Sequence, residues 1–126
     1  MKKRLLVAVA VLLWAVPCFA AEIVVVVPKG KVITITGDMS CTFCTMLTGK
    51  MCASRECCQE CVKAGDPVTL HGPKGQLYIL LSNQQRKPLM TPERMDLLGS
   101  KVKVTGKMIK RGGIQGIYVE SMEKAQ

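Results

Sequence analysis

KVKVTGKMIKRGGIQGIYVESM, residues 101–122, decides the fold class. Val102, Val104, Gly106 and Met108 alternate with Lys101, Lys103, Thr105 and Lys107. That period of two is the pattern of a strand with one buried face. Arg111-Gly112-Gly113 supplies turn chemistry. Beyond it, Ile117 and Val119 alternate against Tyr118 and Glu120 in a last strand, Ile114–Met122. The C-terminal part therefore reads as a hairpin of two amphipathic strands, with residues 123–126 as a polar tail.

Upstream the same reasoning adds elements. Thr91-Pro92-Glu93 is a helix start, with Thr as N-cap and Pro at the first helical position, and Gly99 stops the helix. Ser82–Pro88 is polar and loop-like. Gln76–Leu81 and Val68–Leu70 flank Gly72-Pro73-Lys74-Gly75 as a second hairpin. Lys31–Gly37 alternates Val32, Ile33 and Ile35 with Thr34 and Thr36, and Gly37-Asp38 is expected to end that strand. Ser54–Ala64 is free of Gly and Pro, with Ser54 as N-cap and Gly65 as C-cap, and predicts a helix. The order predicts a mainly β domain over residues 31–122. It is a small five-stranded OB-like Greek-key barrel with a cysteine-bearing helical insertion between the first two strands and a short helix before the fourth. The rival is an open antiparallel sheet crossed by a helix.

Asp38-Met39-Ser40-Cys41, then Cys57 to Gly65 with Cys61 between them, then Leu98-Gly99-Ser100 leading into the strand at Lys101, resemble a group of secreted bacterial OB-like domains. Their shared motifs are D-x-x-C, C-x-x-x-C-x-x-x-G and a terminal G-K-x-V-x-V-x-G strand. The resemblance implies the barrel and maps Cys41, Cys57 and Cys61 onto shared positions; it implies no activity. Cys44, Cys52 and Cys58 are additions to that pattern.

Six cysteines fall within 21 residues: Cys41, Cys44, Cys52, Cys57, Cys58 and Cys61. Cys41/Cys44 and Cys58/Cys61 are C-x-x-C pairs, a spacing that points two sulfurs at one centre. Cys57 and Cys61, four apart on a helix, share a face, and Cys41 can complete a three-sulfur site. Thiolates in such numbers suit Zn(II), Cu(I) or an iron–sulfur cluster. The alternative is a disulfide framework, for which six cysteines allow 15 pairings. A third reading is thiol–disulfide exchange, since C-x-x-C can depress a thiol pKa.

Other residues add less. His71 is expected to be an exposed turn residue rather than a ligand. Met39, Met46 and Met51 sit inside the cysteine stretch, where gap-filling competes with thioether ligation. Asp38 is expected to cap the turn that follows it.

Residues 1–20 have the form of a secretory signal peptide. Lys2, Lys3 and Arg4 precede the apolar run Leu5–Val16, and Pro17-Cys18-Phe19-Ala20 ends in a small residue. Twelve residues reach about 18 Å as a helix, short of a ~30 Å hydrocarbon core. Residues 21–30 form a leader or an extra strand. Cleavage leaves six cysteines and 15 basic against 9 acidic residues. Export, to the periplasm or beyond, makes disulfides the default state of unprotected thiols.

Length excludes large catalytic α/β folds. With His71 the only histidine and no C-x-x-C-H, multi-haem architectures are excluded too. Lys101, Lys103, Lys107, Lys110 and Arg111 crowd the last hairpin, but Tyr78 and Tyr118 are the only strand aromatics available for stacking bases. Nucleic acid is therefore disfavoured against a periplasmic protein partner or weak attraction to an anionic membrane surface. The sequence leads to a non-enzymatic domain that binds a soft metal through its cysteines, with a disulfide-stabilised binding module as the alternative.

Overall fold

The computed structural model describes residues 29–126. The expected signal peptide, and the leader up to residue 28, lie outside the described residues. The chain runs β1 (Lys31–Cys41), α1 (Thr42–Thr48), α2 (Arg55–Lys63), β2 (Val68–His71), a single 3-10 turn at Pro73–Gly75, β3 (Leu77–Ser82), α3 (Pro92–Met95), β4 (Lys101–Arg111) and β5 (Ile114–Lys124). The strands close in the order β1-β2-β3-β5-β4, with β1 paired back to β4. All pairs are antiparallel except β3 with β5. This is the expected OB-like barrel, and its closure excludes the open-sheet rival.

The alternation read in the sequence turns one face of each strand inward. Val102, Val104, Ile117 and Val119 from the last hairpin meet Leu70, Leu80, Met39 and Leu98 in the core, while Lys101 and Lys103 face solvent. Gly112 and Gly113 both take positive φ, 54° and 82°, as a two-residue hairpin turn requires. β5 continues through Glu123 to Lys124, so half of the expected polar tail is strand. It is held there because Lys103 pairs across the ladder with Glu123.

The largest departure lies in β1. It does not end at Gly37-Asp38 but continues to Cys41. Lys31–Asp38 pair with β4, and Asp38–Cys41 pair with β2. Asp38 is thus the residue at which one strand passes from one neighbour to the other. A side chain at Gly37 would collide with the His71 carbonyl, so this glycine permits close approach instead of breaking the strand. Past Asp38, the Met39 N–H donates to the Ser100 carbonyl (3.0 Å) and its carbonyl accepts from Gly99 N–H (2.8 Å). Gly99 reaches that position with φ 73°.

Both insertion helices lie over this end of the barrel. α2 starts as expected, with Ser54 Oγ accepting from Cys57 N–H at 3.1 Å. Glu56 in its first turn and Lys63 in its last complement the helix dipole. Gln59 Nε2 donates to the Met95 carbonyl (3.0 Å), and Arg55 packs against Gly99, which fastens α2 to the α3–β4 corner. α1, by contrast, is an element the sequence does not announce.

Candidate metal centre

Cys41 ends β1 and begins α1. Its backbone is extended, and its Sγ accepts from Cys44 N–H at 3.4 Å, so a sulfur stands where a serine or aspartate cap normally would. Thr42 N–H and Oγ1 both donate to the Pro67 carbonyl (2.8 Å each), and Phe43 N–H donates to Asp66 Oδ2 (2.8 Å). Asp66 therefore does the work expected of Asp38. Asp38 instead stays in the ladder, facing Lys101 Nζ at 3.8 Å. The C-x-x-C at Cys41/Cys44 is a strand end plus the first turn of a short helix.

Thr45 pins that helix from beneath. Its hydroxyl is buried and donates to the Cys41 carbonyl (2.9 Å), which commits its single proton. The contact to His71 Nε2 at 2.8 Å is then an N–H of His71 donating to Thr45. His71 is accordingly not an exposed turn residue. It closes β2, half buried, and supports α1 with its ring.

The loop between the helices carries Cys52 into the middle of the site. Cys52 N–H donates to Ser40 Oγ at 3.0 Å, and Cys52 Sγ lies 3.3 Å from the same oxygen. Cys52 Sγ is also 3.2 Å from Cys41 Sγ and 2.8 Å from Cys58 Sγ. α2 completes the set. Cys58 turns inward to Cys52 and Ser40, while Cys57 and Cys61, one helical turn apart, reach Cys44.

Two groups of three sulfurs result. Cys41, Cys44 and Cys52 have all their sulfurs within 4.8 Å of one another, and so do Cys44, Cys57 and Cys61. Either group can hold a metal ion. Among the described residues all six cysteines are unbridged thiols, Cys41 and Cys58 buried and Cys57 exposed at the rim.

The expected groupings are partly redrawn. The pair Cys58/Cys61 does not act as a unit, because the helix sends its two sulfurs to different neighbours. Cys57 and Cys61 share a face as expected, but their third partner is Cys44 rather than Cys41. Cys52 belongs to neither C-x-x-C pair and was the least informative cysteine in the sequence, yet it touches the most partners. Its placement depends on Ser40, twelve residues earlier on β1.

The thiols differ in acidity. Burial pushes Cys52 up, but its contacts with Cys58, the Ser40 hydroxyl and Cys41 outweigh that and bring it down to about 7. Burial, then the neighbouring Cys52, push Cys58 up to about 12. Cys41 is raised still further, chiefly by burial. At Cys44 the contact with Cys41 lowers the pKa, but Cys52 and burial prevail, leaving it at about 11. Cys52 is therefore the first of these four thiols to ionise.

Among the three methionines of the stretch, Met39 is fully buried core, as gap-filling predicts, and Met46 projects into solvent beside Phe43 and Leu47. An apolar groove of about 500 Å³ lies on the far side of α2, lined by Val62, Leu80, Leu89, Met90 and Met95 among others; no cysteine lines it. No family model, curated protein or solved structure matches this chain.

Proposed function

We propose that this protein is an exported, non-enzymatic carrier that takes a soft metal ion or metal centre on its cysteine cluster, for storage, delivery or electron transfer. The observation that carries the reading is the convergence of six unbridged thiols, arranged as two three-sulfur groups, at one end of the barrel. Thiolates select Zn(II), Cu(I) or iron–sulfur centres over hard cations. Cys57, exposed at the rim, offers a sulfur through which an ion can be passed by ligand exchange. The exposed apolar side chains of Phe43, Met46 and Leu47 on α1, of which Phe43 borders a pocket with Cys61, suit a protein partner better than a nucleic acid. The basic, then apolar, N-terminal run supports export to the periplasm.

The test is native and denaturing mass spectrometry of the protein purified anaerobically from its own compartment. Bound metal that is lost on denaturation, together with six reduced cysteines, is expected.

A second reading has its own observation. Cys52 Sγ lies 2.8 Å from Cys58 Sγ and 3.2 Å from Cys41 Sγ, so oxidation can join Cys52 to one of them. A mass six hydrogens below the reduced chain, with no metal, would replace the carrier with a disulfide-stabilised binding module.

A further inference from the structure

Six sulfurs are more than one ion needs. A four-coordinate thiolate site uses four, with metal–sulfur bonds of about 2.3 Å. The two three-sulfur groups share one member only, Cys44. Cys41 and Cys52 come from the end of β1 and the inter-helix loop; Cys57 and Cys61 come from α2. A single four-coordinate ion cannot take all five sulfurs. A thiolate sulfur, however, has lone pairs enough to bind two ions at once.

We propose that the cluster is a binuclear metal–thiolate centre in which Cys44 bridges the two ions. The first ion takes Cys41, Cys44 and Cys52, with Cys58 as its fourth ligand through its place 2.8 Å from Cys52. The second takes Cys44, Cys57 and Cys61. Each thiol that becomes a ligand gives up its proton to solvent, and no electron moves. The two ions differ in setting. The first is walled in by Cys41, Cys58 and the buried Ser40; the second is held by exposed Cys57 and half-buried Cys61. The outer ion is the one that exchanges.

This inference rests on the thiolate reading above, and the experiment separates the two. Zn(II) is added to the reduced, metal-free protein under anaerobic conditions and counted by native mass spectrometry. Two ions per chain are expected, with one retained in Cys57→Ser and one in Cys52→Ser. One ion in the wild type would overturn the binuclear centre and leave the carrier intact; none would overturn both. Two ions still bound after either substitution would overturn the ligand assignment. The bridge is read on the unaltered chain with Cd(II) as probe: two cadmium resonances split by mutual coupling are expected, and two unsplit resonances would remove Cys44 from the bridge. The cadmium arm needs no variant, so it stands even if a cysteine substitution impairs folding.

Discussion

Ser40 and Cys52 are joined twice: the Cys52 N–H donates to Ser40 Oγ at 3.0 Å, and the Cys52 sulfur sits 3.3 Å from that same oxygen. Ser40 is fully buried near the end of β1, so a barrel residue fixes where the inter-helix loop delivers its thiol.

Ser40→Ala should therefore act at Cys52 without touching a ligand. Losing the hydroxyl removes one of the contacts that hold Cys52 at about 7, so its ionisation should move up. Leaving the Cys52 N–H unpaired should cost about 1 kcal/mol or more. Titration of the ultraviolet thiolate absorbance reports the first effect, and urea unfolding of the metal-free protein the second. An unchanged ionisation midpoint would show that Ser40 does not stabilise the thiolate.

The metal-free fold should respond to pH in two directions. Cys52 is depressed from the ordinary 9.0 to about 7, so its contribution is present above pH 9 and is lost as pH falls through about 7. Cys44 and Cys58 are raised to about 11 and about 12, so theirs is present below pH 9 and is lost as pH rises through those values. The urea midpoint, measured with reductant and chelator present, should peak near pH 9. Cys52→Ser should flatten the acid limb and weaken the alkaline one, because Cys52 helps to raise Cys44 and Cys58.

Metal affinity should fall steadily as pH is lowered from 7 to 5. Ligation needs thiolates, and below about 7 even Cys52 is reprotonated. Competition with a chelator of known pH dependence, run at each pH, checks the direction. An affinity that does not change over this range would argue against thiolate ligands.

Thr45→Val should loosen α1 without removing any sulfur. The substitution removes the hydroxyl's bond to the Cys41 carbonyl and strands the His71 Nε2–H, both served by the buried hydroxyl. A loss of about 1–3 kcal/mol is expected. Hydrogen exchange should show the gain in mobility at residues 42–48 rather than in the β4–β5 hairpin.

Gly37→Val tests the handover within β1. The new side chain has nowhere to go but into the His71 carbonyl, so β1 must part from β2. Overpacking of this kind costs about 1–3 kcal/mol. Far-ultraviolet circular dichroism and thermal unfolding together distinguish a weakened barrel from an unfolded one.

The barrel was legible because its signals are local. Alternation in residues 101–122, the Gly112-Gly113 turn, the Thr91-Pro92 helix start and the Ser54 cap each read correctly from a few neighbouring residues. What the sequence concealed depends on distant partners. Gly37-Asp38 looks like a stop until His71 and Lys101 are seen on either side of it. α1 is too short to announce itself, and is held by Asp66 and Pro67 across the barrel mouth. The cysteines were legible as a cluster but not as a partition. Spacing suggested pairs, and only the packing of α2 separates Cys58 from Cys61.

The pairing of residues 31–38 with 101–108 has a kinetic side. Contacts so distant along the chain form late, on the millisecond-to-second scale of non-local β folding, whereas loops of about ten residues close within ~100 ns. In a newly made chain the six thiols meet one another long before the barrel seam is sealed. Whether each sulfur first encounters an ion, an oxidant or its final neighbour is decided in that interval, so the speed of seam closure sets how faithfully the sulfur shell is assembled.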